Sequence, residues 1–97
     1  MNLRELTEAM NAFVESKGWY APDSPHPQTP SNLAKSLVIE AAEVLELFQW
    51  QDRADPETLG SELADVFLYL LQLADRSSID LEAATMAKLR INRDRTW

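Results

Sequence analysis

From Leu63 to Ala74 the chain reads as a helix that is apolar over nearly its whole circumference. Such a helix must be covered on several sides, because each large apolar side chain taken out of water is worth about 1.5–3 kcal/mol. The rest of the sequence must therefore supply neighbours. Helical periodicity recurs in three other stretches and no alternating strand pattern occurs, so the expected fold class is all-α, a protomer of four-helix bundle type. Three partners from so short a chain cannot easily enclose the central helix. A second copy is expected to cover part of it, giving a homo-oligomer.

Leu3, Leu6, Met10, Phe13 and Val14 mark the first helix, which Gly18 stops. The segment from Gly18 to Pro30 contains four prolines, and their fixed φ and missing N–H preclude regular helix. This long loop holds Trp19, Tyr20 and the only histidine, His26. Thr29-Pro30 is an N-cap followed by a first-turn proline, and Leu33, Leu37, Val38, Ala41, Val44, Leu45 and Phe48 carry the second helix to about Gln51. Asp55-Pro56-Glu57 opens the third helix, which runs to about Arg76. Ser77-Ser78 is expected to end that helix and cap the fourth, whose stripe is Ile79, Ala83, Met86, Ala87 and Ile91. Residues 1–97 are expected to form one domain.

A net charge of −7 excludes the basic surface that a nucleic acid polymer requires, while leaving room for a free nucleotide that carries its own metal. There is no cysteine, hence no disulfide framework and no thiolate metal site. No apolar stretch is long enough to span a bilayer, so no membrane partner is expected and the cytoplasm is the default location.

The second and third helices carry two acidic pairs, Glu40 with Glu43 and Glu62 with Asp65, each spaced three residues apart. That spacing sets two carboxylates side by side on one helical face. At about 5.5 Å and an effective dielectric of about 20, they repel by roughly 3 kcal/mol. No Lys or Arg stands three or four residues from any of the four, and Arg53 is the only base between Lys35 and Arg76. Acids three apart are often merely a solvated face, or partners of cations on another helix. Two pairs on consecutive apolar helices, neither with a local cation, point instead to a divalent metal. Mg2+ suits the donor set, since it takes carboxylate oxygens and meets nucleotide phosphates in its remaining positions.

The run from Ser31 to Trp50, containing Glu40-Ala41-Ala42-Glu43 and Phe48-Gln49-Trp50, is followed by Glu62-Leu63-Ala64-Asp65 and by Tyr69. Together these resemble the MazG-like nucleotide pyrophosphohydrolases, in particular the dCTP pyrophosphatase-like branch. The resemblance extends from about Gly18-Trp19 to Arg95. It implies an all-α fold assembled as a homodimer or a dimer of dimers, which hydrolyses a nucleoside triphosphate between its α and β phosphates to a monophosphate and pyrophosphate. It assigns Mg2+ to Glu40, Glu43, Glu62 and Asp65, the four residues that the charge argument selects.

A carboxylate outside the metal shell can take the proton of an attacking water, and Glu46, three residues after Glu43, is the candidate catalytic base. Trp50 and Tyr69 match positions that line the base pocket in the dCTP pyrophosphatase-like branch, and Trp19 matches a loop aromatic. Near the chain's end Lys88, Asn92 and Arg95 would share a helical face and suit phosphate oxygens, although cations near a helix C-terminus are also favourable by themselves. One departure bears on base preference. Members of this branch often place a His directly before the Thr-Pro that opens the second helix, whereas this chain has Gln28 there and His26 two residues earlier. The competing reading is a non-catalytic helical module that binds metal structurally or pairs its acids with a basic partner.

Overall fold

The computed structural model describes residues 1–96, and each helix begins where a side chain can satisfy its free N–H groups. Asn2 caps α1 (Leu3–Ser16) with a full capping box: its side chain accepts from the Glu5 N–H at 2.9 Å, and the Glu5 carboxylate faces the Asn2 N–H. Gly18 follows at φ 73°, a left-handed conformation that costs glycine nothing. Thr29 caps α2 (Pro30–Glu46), with Pro30 in the first turn. Asp55 caps α3 (Pro56–Arg76) through both the N–H and the hydroxyl of Thr58. Asp80 caps α4 (Leu81–Arg93).

Two boundaries differ from the sequence reading. The second helix stops at Glu46 rather than near Gln51, because Leu47, Phe48 and Gln49 bond back three residues instead of four, and the Gln51 side chain takes the Leu47 carbonyl at 2.9 Å. Ser77-Ser78 ends α3 but does not cap α4. Ser78 lies at φ 56°, and the Ile79 N–H reaches back to the Ala74 carbonyl at 2.9 Å, so both serines are consumed in closing α3. The fourth helix therefore starts later, at Leu81, and leaves Ile79 outside its stripe.

α3 is the central rod, packing against α2 on one side and α1 on the other. Met10 and Val14 of α1 meet Leu71 of α3, with Leu3, Leu6, Trp19, Tyr20 and Leu81 closing around them. Leu33, 1% exposed, anchors α2. α4 contributes no buried residue: Met86 and Ile91 of its apolar stripe, and Leu89 beside it, are each about half exposed. Among the described residues no helix is long and apolar enough to cross a membrane.

Candidate metal and nucleotide site

The antiparallel approach of α2 and α3 brings the two acidic pairs to one place. Single oxygens of Glu40, Glu62 and Asp65 all lie within 4.8 Å of one another, a spacing at which one cation can touch all three. Glu43 stands beside both Glu40 and Glu62. Burial and the close Glu43 carboxyl, with the charges of Asp65 and Glu62, raise the Glu40 carboxyl above its ordinary range. Desolvation and the close Glu43 carboxyl, with the charges of Asp65 and Glu46, raise Glu62 likewise. Glu46 therefore acts on the cluster electrostatically from the last residue of α2, while its own side chain stays exposed.

The donor set is tested by its unsatisfied oxygens. Oε2 of Glu40 and Oε2 of Glu62 are both buried with no hydrogen-bond partner. A buried acceptor without a donor is costly, and two of them converging with a third carboxylate suit a hard dication. The residues present therefore fit a divalent ion.

Beside the carboxylates, between α1 and α3, lies a largely apolar cavity of about 400 Å³. Glu40 and Asp65 sit in its wall. Leu6, Met10, Phe13 and Val14 come from α1, Leu68, Tyr69 and Gln72 from α3, and Trp19 and Gln28 from the loop. Trp19 is held by an edge-to-face contact of its ring with Phe13, centroids 5.8 Å apart at 86°, and by its backbone N–H, which donates to the Val14 carbonyl. An apolar chamber opening onto acids can take a flat ring at one end while a metal-bound anion sits at the other.

The structure distributes the remaining sequence candidates unevenly. Trp19 and Tyr69 line the cavity, whereas Trp50, 89% exposed in the turn after α2, does not. On α4, Lys88 is exposed and Asn92 half buried, with the Asn92 Oδ1 enclosed and lacking a hydrogen-bond partner. Arg95 lies beyond the end of α4. His26 is exposed on the proline-rich loop, and it is Gln28 that reaches the cavity. Sequence reasoning missed the α1 wall and Gln72. Its clearest signal was an amide set among Leu70, Leu71, Leu73 and Ala74, a place where a polar group needs a reason.

Fold and site together define a class: a small all-α protein whose two central helices gather carboxylates at the edge of an apolar chamber. The chain belongs to the MazG-like family, which it matches over residues 35–96. It is 41% identical over 76 residues to dCTP pyrophosphatase 1 of Rattus norvegicus and, equally, of Homo sapiens. Each alignment takes in 68% of this chain and 45% of the relative, so this chain spans less than half the length of those relatives. The dATP/dGTP diphosphohydrolase of cyanophage S-2L is 36% identical over 85 residues, covering 87% of this chain and 72% of that protein. A crystal structure of a pyrophosphatase from Archaeoglobus fulgidus superposes with a TM-score of 0.74 at 37% identity, over 92% of this chain and 86% of the other.

Proposed function

We propose that this protein is a Mg2+-dependent nucleoside triphosphate pyrophosphohydrolase, cleaving a (d)NTP to the (d)NMP and pyrophosphate in the upkeep of the nucleotide pool. The observation that carries the reading is the convergence of Glu40, Glu62 and Asp65 beside an apolar cavity, with two of their oxygens buried and unsatisfied. The named relatives support it as nucleotide pyrophosphatases and diphosphohydrolases. Deoxycytidine-type triphosphates are the first substrates to test.

In this reading Glu40, Glu43, Glu62 and Asp65 hold the ion. When bound, Mg2+ neutralises phosphate charge and acidifies a coordinated water. Glu46 accepts the proton of the attacking water, Trp19 and Tyr69 flank the base, and Lys88, Asn92 and Arg95 face the phosphates. Trp50 lies outside the cavity of its own chain, so its part in base contact calls for a second copy.

Self-association is supported by what one protomer leaves open. Val38, Ile39 and Leu45 of α2 are 60–72% exposed, and Leu63 of α3 and Leu89 of α4 about half exposed. The radius of gyration is 15.7 Å, against about 12.5 Å expected of a compact chain this long. A homodimer, or a dimer of dimers, would cover these faces.

Incubation with each deoxynucleoside triphosphate and Mg2+, with products resolved by ion exchange, tests the activity. Monophosphate and pyrophosphate are expected in equal amounts. Absence of monophosphate from every triphosphate, with stabilisation by metal alone, would favour a structural metal-binding module instead.

A further inference from the structure

Among the described residues Gln72 is the one buried polar residue, 3% exposed, and its amide is wired on one edge only. Its Nε2 donates twice, to Gln28 Oε1 at 2.8 Å and to the Tyr20 hydroxyl at 3.2 Å. Among the described residues no donor reaches its Oε1.

The direction of this wiring is set from both ends by groups that can only accept. At one end stands the Asp75 carboxylate, which takes the Asn11 Nδ2 at 3.0 Å. The Asn11 oxygen is therefore turned to Tyr20, whose hydroxyl donates to it and keeps its lone pairs for Gln72. At the other end the His26 carbonyl takes the Gln28 Nε2 at 2.6 Å, which turns the Gln28 oxygen towards Gln72. Both routes require Gln72 to present its nitrogen to the protein. Rotating the amide would set its oxygen against the Gln28 oxygen, so the orientation is locked. The Arg76 guanidinium, stacked 3.5 Å above the Tyr20 ring, steadies the middle of the chain.

Gln72 follows Asp65 by seven residues and Tyr69 by three, so all three line the cavity from one face of α3. Seven residues rise about 10 Å along a helix. A phosphate at the carboxylates and a base edge at Gln72 thus lie at opposite ends of one chamber, with room for a sugar between.

We propose that Gln72 is a specificity-determining residue, its Oε1 a fixed acceptor that selects a nucleobase bearing an exocyclic amino group over one bearing an oxo group at the same position. An amine donates to Oε1, whereas an oxo group sets two oxygens face to face and leaves both unpaired. Selection by a missing hydrogen bond in a largely apolar pocket exceeds what shape gives for isosteric rings. The assignment rests on the nucleotide reading of the cavity. It goes beyond that reading by naming the feature of the base that is sensed, and by tracing the sensor's orientation to Asp75 and the His26 carbonyl.

The test is calorimetric titration, with Mg2+, of non-hydrolysable α,β-methylene analogues of dCTP and dUTP, which differ at the 4-amino and 4-oxo positions and in the N3 proton. The wild type is expected to bind the dCTP analogue about tenfold or more tightly. Gln72→Met, which keeps the bulk and removes the acceptor, should bring the ratio near one, mainly by weakening the dCTP analogue. Asp75→Ala, on the exposed end of the chain, should lower the ratio several-fold with the helical circular dichroism unchanged, and it serves if Gln72→Met does not fold. Equal wild-type binding of the two analogues, or a ratio that survives in a folded Gln72→Met protein, would overturn the assignment of Gln72 while leaving the nucleotide reading intact. Binding of neither analogue, with no triphosphate turned over, would overturn both.

Discussion

The α1–α3 seam and the outer surface of α2 and α4 use similar apolar residues to opposite effect. In the seam, Met10, Val14 and Leu71 are at most 4% exposed and the wall of the cavity is fixed by Phe13 against Trp19. On the outer surface, Val38 and Leu45 lie open seven residues apart on one face of α2, and Met86 is about half exposed on α4. The difference teaches that one chain completes a chamber and an acidic cluster but not its own enclosure. The chamber lies in the α1–α3 seam, while apolar side chains of α2 are left uncovered.

The largest effect expected is at the junction of the two regions. Asp65→Ala removes one of the three converging carboxylates while leaving Met10, Val14 and Leu71 in place, and hydrolysis should fall by about a thousandfold or more while the far-UV circular dichroism is kept. Retained turnover, measured as pyrophosphate release, would detach the cluster from the chemistry.

Next comes stability within the seam. Leu71→Ala, at a site 2% exposed, should cost about 2–5 kcal/mol by urea denaturation, because the neighbouring rods cannot close the space left behind. Leu45→Ser on the outer face, 72% exposed in the protomer, should cost a monomer almost nothing. If a second copy covers that face, it should instead lower the molar mass seen by light scattering and make the melting temperature depend on protein concentration. A clean monomer at micromolar concentration in the wild type would break the comparison at this point.

The pH dependence is a further probe of the cluster. Glu40 and Glu62 have carboxyls raised above the ordinary value of 4.5, so the folded state holds their protons more tightly than the unfolded chain does. Their contribution to stability is complete below about pH 4.5 and is lost as pH climbs through the raised folded values. In metal-free buffer this pair should make the protein less stable on moving up from that range, and Mg2+ should offset the loss increasingly as the protons leave. Melting temperatures across a pH series, with and without Mg2+, give both signs. The double variant Glu40→Gln, Glu62→Gln should flatten the difference.

The smallest effect is expected at α1. Asn2→Ala removes the capping box and should cost about 0.5–2 kcal/mol, loosening the helix that walls the cavity. Thermal melting reads the loss directly.

The helices were legible in the sequence because their signals are local. Thr29-Pro30 and Asp55-Pro56 state their own starts, and the apolar spacing of α1 and α3 sets which faces turn inward. The acidic quartet was legible for a related reason: three-residue spacing puts each pair on one face, and the absence of nearby cations is a matter of counting. What could not be read locally was decided by contacts between distant segments. Gln28 and Gln72 are 44 residues apart, Asn11 and Asp75 64 apart, and nothing in either neighbourhood announces that they meet. The end of α2 was misread because Phe48 and Trp50 continue a helical rhythm after the backbone has tightened into turns. The α4 stripe looks like core material in sequence, yet the fold of one protomer leaves Met86 and Ile91 uncovered.

The central claim is that crowded carboxylates on α2 and α3 are arranged around a dication. Isothermal titration of the metal-free protein with Mg2+, or with Mn2+ as its stand-in, compared with Asp65→Ala, tests it most directly. The account predicts saturable binding to the wild type, with the protons displaced by the metal increasing in number as the buffer is made more acidic, and binding weakened at least tenfold in the variant. Equal heats from both proteins, or no saturable binding to the wild type at millimolar metal, would contradict it.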